Sequence, residues 1–149
     1  MKIEVAGSDE ATFCEVFSLL VEFHREGGLA PLDLDDASRN TYLTLTEGMT
    51  LVARDDNGAI IGMLALHELK FWYSKARHLR DAWFYVKPQC RGGDIGKDLM
   101  QAAKKIADDK NMILFIDVSN PDRRPKRTKA TLACQTAGYV PIGFSLQLR

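Results

Sequence analysis

An α/β domain is predicted from three observations. The chain alternates β-rich and helix-periodic segments, an Asn57-Gly58 pair joins two β-rich runs, and one strand passes through a glycine-rich loop straight into an amphipathic helix. With 149 residues, the expectation is a single domain over 1–149; a chain of this size buries roughly 68 to 70% of its unfolded surface and needs no disulfide or structural metal.

Each element has a local reason. Lys2 to Ala6 reads as a short strand with Ile3 and Val5 alternating. Ser8 offers an N-cap, and Phe13, Val16, Phe17, Leu20 and His24 follow at helical spacing until Gly27-Gly28 ends the segment. Leu29 to Asp33 is a loop around Pro31. Asp35-Asp36 favour the positive end of a second, more polar helix that stops near Glu47-Gly48. Thr50 to Arg54 and Ala59 to Glu68 are β-rich, and the intervening Asp55-Asp56-Asn57-Gly58 is a strong hairpin signal. Residues 69–80 are aromatic and basic without clean periodicity and read as a loop or an irregular strand start. Ala82 to Val86 is a strand closed by Lys87-Pro88, since proline cannot continue a ladder.

The loop Gln89 to Gly96 then opens a helix with Ile95, Leu99, Ala102, Ala103 and Ile106 on one face. Met112 to Val118 is a nearly continuous apolar run, expected to be a strand buried on both faces. A basic loop spans Pro121 to Lys129, a last helix Lys126 to Ala137 ends at Gly138, and Val140 to Leu148 closes the chain as a strand.

Composition excludes several function classes. No apolar run approaches the roughly 20 residues that span a bilayer, and the leading MKIEVAGSDE is unlike a signal peptide, so a cytoplasmic protein without membrane contact is expected. Cys14, Cys90 and Cys134 are odd in number and far apart, which argues against a disulfide framework or a zinc site; no metal is expected. Twenty acidic and 20 basic side chains cancel, yet residues 1–47 hold 10 acids and 3 bases, leaving 10 acids and 17 bases beyond them. The later part is where an anion would bind, and a charge excess of this kind reads equally well as a solvated face.

A glycine loop between a strand and a helix lets several backbone N–H groups converge on one anion, and the helix adds about half a positive charge there. A phosphate or pyrophosphate is the natural ligand of such a site, and on composition alone the loop reads more readily as a mere connector, as many glycine-rich turns are. The loop lacks the G-K-[ST] of a P-loop and the G-x-G-x-x-G of a dinucleotide fold. Nor does the basic loop carry a recognised nucleic-acid reader.

Val86-Lys87-Pro88-Gln89-Cys90-Arg91-Gly92-Gly93-Asp94-Ile95-Gly96-Lys97-Asp98-Leu99 resembles the V-x-P-x-x-R-G-x-G-I-G-x-x-L pyrophosphate motif of the GNAT superfamily of acyl-coenzyme A dependent N-acyltransferases. The order of elements agrees over nearly the whole chain. The aromatic run from Phe71-Trp72-Tyr73 to Trp83-Phe84-Tyr85 is similar to bacteriophage-encoded members.

The resemblance implies the GNAT fold: a central mixed, mostly antiparallel sheet flanked by about four helices. It implies acetyl-coenzyme A as cosubstrate, a direct transfer to a primary amine of a small molecule or protein, and no metal. On that likeness the strand Trp83 to Val86, with Tyr85 among it, splays from its neighbour and pairs with the pantetheine arm, Phe84 and Val86 facing the groove. The Val86 amide would polarise the thioester carbonyl. The amides of Arg91, Gly92, Gly93, Asp94, Ile95, Gly96 and Lys97 would hold the pyrophosphate, with charge added by Arg91, Lys97 and the loop Arg123, Arg124, Lys126, Arg127 and Lys129. That basic loop reads equally well as a solvated turn.

Two departures bear on mechanism. Asp94 replaces the second motif glycine, and a carboxylate about 4 Å from a phosphate repels it by roughly 4 kcal/mol at an effective dielectric near 20. Asp94 either turns away or, as an N-cap, takes the Gly96 or Lys97 amide that a phosphate would use. Cys134 stands four residues before Gly138, where many family members carry a tyrosine that protonates the departing thiolate. A thiol with pKa about 8.5 matches that task, and less readily that of an acyl-accepting nucleophile; alternatively Ala130, Ala133, Cys134 and Ala137 form one inert apolar helix face.

For the general base, the resemblance points to Asp81 acting through water. His67, Glu68 and His78 are further candidates. The competing expectation, favoured by Asp94 and Cys134, is a catalytically weak or silent module of this fold that binds coenzyme A, a protein partner or both. The sequence leaves the acceptor, and a monomer against a homodimer, undecided.

Overall fold

A computed structural model describes residues 1–28, 30–117, 135 and 138–140. Strand β1 (Lys2–Val5) leads to helices α1 (Glu10–Gly27) and α2 (Leu34–Thr46). Strands β2 (Met49–Arg54), β3 (Ile60–Lys70) and β4 (Arg77–Val86) follow, then a 3₁₀ turn (Pro88–Cys90), α3 (Ile95–Asp109) and β5 (Ile113–Phe115). The described strands form one sheet in the order β1-β2-β3-β4-β5, antiparallel except for the parallel β4–β5 pair. That is the mixed, mostly antiparallel sheet expected, with three α-helices among the described residues.

The cap of α1 is Asp9, one residue beyond the expected Ser8. Its carboxylate accepts the Thr12 N–H at 3.0 Å and the Thr12 hydroxyl at 2.8 Å, two bonds from one residue. Asp33 caps α2 by accepting from the amides of Asp35 and Asp36. The β2–β3 hairpin is closed by Gly58 N–H on Asp55 O, with Gly58 at φ +85°, while the Asp55 carboxylate accepts from Asn57 and Ala59.

Strands β3 and β4 are longer than their sequence suggested, and residues 71–76 are the turn of a second hairpin. The physical reason is a bulge. Ala65 pairs with Trp83 and Leu66 with Asp81, so Ala82 is an extra residue without a partner. A one-residue insertion reverses which face each later side chain takes, and this hides the period of two across 77–86. Before the bulge, Leu79 packs toward α3; after it, Phe84 and Val86 do, while Trp83 and Tyr85 join the core under α1.

Two apolar layers therefore sandwich the sheet. Val16, Leu19, Leu45, Val52, Ile60, Met63 and Tyr85 lie on the α1–α2 side, and Leu51, Leu64, Leu66, Leu79, Leu99 and Ala103 on the α3 side. Strand β5 is not buried on both faces as its run of apolar residues suggested. Leu114 faces the α3 layer, but Ile113 is 58% exposed, because among the described residues no element covers its other side. The expected last helix lies outside the described residues apart from Gln135, and the closing strand apart from Val140. Gly138 takes φ +92°, its N–H on Gln135 O, as a helix-ending glycine would, and Tyr139 donates its hydroxyl to Met100 O.

Candidate active site

The site is built where β4 and β5 part. Parallel pairing covers only His78 with Ile113, Leu79 with Leu114 and Arg80 with Phe115. Two residues past the last pair, Asp117 N–H donates to the Asp81 carboxylate at 2.9 Å instead of to a strand carbonyl. Beyond this fork β4 continues to Val86, paired with β3 alone among the described residues.

The direction of the free backbone groups follows from the ladder. Lys87 N–H donates to Ile61 O at 3.0 Å across the β3–β4 pair. Alternation then turns the peptide groups of Tyr85 and Trp83 toward β3 and those of Phe84 and Val86 toward the open edge. Their side chains reach the α3 side. A Cβ placed on Gly96 would come within 3.3 Å of Phe84 Cζ, and one on Gly62 within 3.0 Å of Ile95 Cγ2, so two glycines let α3 close onto the strand.

The loop leading into α3 is arranged for backbone donors. Gly92 sits at φ +88°, which a side chain would oppose, and neither Gly92 nor Gly93 has an atom within 4 Å of where a Cβ would be. Asp94 occupies the N-cap position in a helical conformation (φ −87°, ψ −5°), and its exposed side chain caps nothing. Of the two roles open to it, capping is therefore not the one adopted. Among the described residues the amides of Ile95, Gly96 and Lys97 find no acceptor, the first intrahelical bond of the cap being Asp98 N–H to Asp94 O.

Arg91 does not point into this loop. Its Nε donates to Val86 O at 2.8 Å, its Nη2 reaches both Glu26 oxygens at 3.0 and 2.8 Å, and its guanidinium lies 5.3 Å from the Tyr85 ring centroid. Tyr85, 4% exposed, donates its hydroxyl to Glu26 at 2.5 Å on the α1 side rather than facing the groove. Burial and the facing carboxylate push that phenol up to about 12, while the Tyr85 hydroxyl bond and Arg91 hold Glu26 below the ordinary carboxylate range. Sequence reasoning missed Glu26; an acidic residue at the end of a helix gives no signal of a partner 65 residues away.

The candidate bases are distributed around the fork. Burial raises the Asp81 carboxyl above its ordinary value, the Asp117 charge adds to this, and the Asp117 amide opposes it. Glu68 is held low by Arg77 at 2.8 Å, with Lys110 at 3.5 Å. His78 is buried between Phe71 and Phe115, ring centroids at 4.4 and 5.2 Å, and among the described residues its Nδ1 has no partner. His67 lies 3.4 Å from the Thr44 hydroxyl. Cys134 and the basic residues from Arg123 to Lys129 lie outside the described residues. Among the described residues, no three His, Cys, Asp or Glu side chains gather as metal ligands would, and no helix is long and apolar enough to cross a membrane.

Comparison with known proteins bears on this geometry. The sequence pattern of the acetyltransferase (GNAT) family matches residues 14–126. No protein of curated function matches the sequence. Among solved structures, a ribosomal-protein-alanine N-acetyltransferase from Brucella melitensis biovar Abortus is 18% identical over 100% of this chain and 99% of its own, with a TM-score of 0.70. A probable acetyltransferase is 16% identical over 100% and 99%, TM-score 0.78. An aminoglycoside acetyltransferase from an uncultured soil sample, solved with sisomicin, is 18% identical over 99% and 96%, TM-score 0.67.

Proposed function

This chain belongs to the GNAT acetyltransferase family, and from that premise we propose that it transfers an acetyl group from acetyl-coenzyme A directly to a primary amine. The observation that carries the reading is the open edge of β4 between Asp81 and Val86, running into the uncapped N-terminus of α3. An arm bearing amides can add to such an edge as a strand would, while a pyrophosphate takes the free N–H groups beyond Gly92. The reactive thioester is carried by the cosubstrate itself; the chain supplies position and main-chain donors.

The Val86 amide was the donor expected from the sequence, and the Phe84 amide faces the same edge one pleat nearer the fork. Since the α3 N-terminus adjoins Val86, an arm laid back from it toward Asp81 brings its acyl end past Val86, and either amide can polarise the carbonyl. Asp81 is assigned as the base, through water. Its raised pKa narrows the gap to an ammonium, and Asp117 occupies only Oδ1. Cys134 is retained as the proton donor to the leaving thiolate. The ten acids of residues 1–47, Glu22 and Glu26 among them, favour approach of a cationic amine from the α1–α2 side.

Thermal unfolding with acetyl-coenzyme A tests the reading. At about 100 times the dissociation constant the ligand adds roughly 2.7 kcal/mol of stability, and thiol release is expected across some member of an amine panel. Absence of any shift at millimolar cofactor sinks the proposal. A shift without thiol release leaves the silent binding module as the better description.

A further inference from the structure

We propose that Glu26, at the end of α1, is a positioning residue for the acyl donor: it holds the Arg91 guanidinium across the open edge of β4 and thereby fixes the Val86 carbonyl beside the pyrophosphate loop. The inference rests on the acyltransferase reading above. One guanidinium ties three parts of the fold: α1 through Glu26, the last residue of β4 through Val86 O, and the start of the loop, since Arg91 directly precedes Gly92 at φ +88°.

The chemistry of each partner is matched to this task. A single bond from an exposed arginine to one carbonyl fixes little, because the side chain loses rotamer freedom to make it. The Glu26 carboxylate adds charge-assisted bonds to the same planar fork, and Tyr85 adds both a ring face under the guanidinium and a hydroxyl on Oε1 that orients the carboxylate. A lysine could reach Val86 O or Glu26 but has no fork to span both. The connection being braced is short and otherwise loosely held: Pro88–Cys90 turns it, and Gly92 and Gly93 touch nothing that a Cβ would meet. Without the brace, the spacing between the open edge and the free amides of α3 is set only by that loop. A donor molecule must engage both at once, so freeing the loop weakens its binding.

The arrangement has a rival with the opposite sign. Arg91 could be a phosphate ligand that Glu26 sequesters, in which case neutralising Glu26 would release it and tighten binding.

The experiment is calorimetric titration of coenzyme A into the wild type, Glu26→Gln, Arg91→Gln and the double variant, with melting temperatures and amide exchange of residues 86–93 in the free proteins. Glu26→Gln is expected to weaken coenzyme A about five- to tenfold, which is roughly 1 to 1.4 kcal/mol, with faster exchange in 86–93 and an unchanged melting temperature. Arg91→Gln is expected to weaken binding at least as much, the double variant no further, and Arg91→Lys not to restore it. Tighter or unchanged binding in Glu26→Gln overturns the inference, as do full additivity in the double variant or a melting temperature that falls in step with affinity. Failure of the wild type to bind coenzyme A overturns the acyltransferase reading, whereas binding by the wild type with equal binding by Glu26→Gln overturns only the brace.

Discussion

The two halves of β4 carry the same kind of backbone and do different work. From His78 to Arg80 the strand has a ladder on both sides, β3 and β5, and its side chains serve packing and ion pairs, as with Leu79 in the α3 layer and Arg80 on Asp117 at 2.8 Å. From Asp81 to Val86 it has one ladder among the described residues and leaves a row of donors and acceptors facing outward. Two local devices separate the halves. The Asp81 carboxylate takes the Asp117 amide where a strand carbonyl would otherwise be sought, and the Ala82 bulge reverses the faces of every residue after it. A ligand edge is thus made by ending one ladder early, with a side chain satisfying the amide that the ending strands.

The difference can be broken at the bulge. Deleting Ala82 keeps Asp81 opposite Leu66 and Trp83 opposite Ala65, so every later side chain keeps its face, and what is lost is the local kink and twist with which the strand passes from its paired half to its open half. Straightening the strand under the packed α1 and α3 layers is expected to cost about 2 to 3 kcal/mol. Urea unfolding should show this as a lowered midpoint, and a midpoint near that of the wild type would mean that the bulge does not hold the two halves in their places.

A smaller effect is expected at the fork. Asp81→Ala leaves the Asp117 amide, in an exposed bond, to water and should cost about 0.5 to 1.5 kcal/mol, whereas Asp81→Asn keeps an acceptor oxygen and costs less. The pH dependence sharpens the distinction. Burial raises the folded-state pKa of Asp81 above the unfolded value of 3.8, so the folded protein binds the proton more tightly. The stabilisation this gives is fully present below pH 3.8 and is lost as pH climbs to the folded value. Asn cannot lose it, so the stability of Asp81→Asn relative to wild type should improve from pH 4 to pH 7. A difference that stays level over that range would show that the carboxyl is not destabilised by its surroundings.

The smallest change is expected at Asp94. Its carboxylate is exposed and caps nothing, so it acts on a bound anion only through a screened field. Asp94→Gly should tighten coenzyme A by about three- to tenfold, within the roughly 4 kcal/mol ceiling of an inward-pointing charge, and the gain should shrink as salt is added. Unchanged or weaker binding in a titration would show that Asp94 is not a repulsive element.

Much of the fold was legible because it rests on local rules. Asp35-Asp36 in the first turn of α2 and Gly58 in its turn announce their elements through side-chain and backbone chemistry within a few residues, and the strand, glycine loop and α3 unit follows the same logic. Where Ser8 was expected to cap α1 and Asp9 does, the error is one residue, since both types cap well. The β3–β4 hairpin was less legible, because a single inserted alanine reverses the alternation that identifies a strand. Ile113 was misjudged for another reason: an apolar run states that side chains avoid water, not which neighbour will cover them.

The sequence by itself determined that this chain is an α/β domain with a β2–β3 hairpin and amphipathic helices and that a glycine loop opens α3, because caps, turns and periodicity act over a handful of residues. Only the tertiary structure decided that Arg91 turns to Glu26 and Val86 O, that Asp81 holds the Asp117 amide, and that Phe84 and Val86 present their backbone to an open edge. Those outcomes join residues from 5 to 65 positions apart, and pairings at such separations are chosen by the packing of whole elements, which no local pattern records.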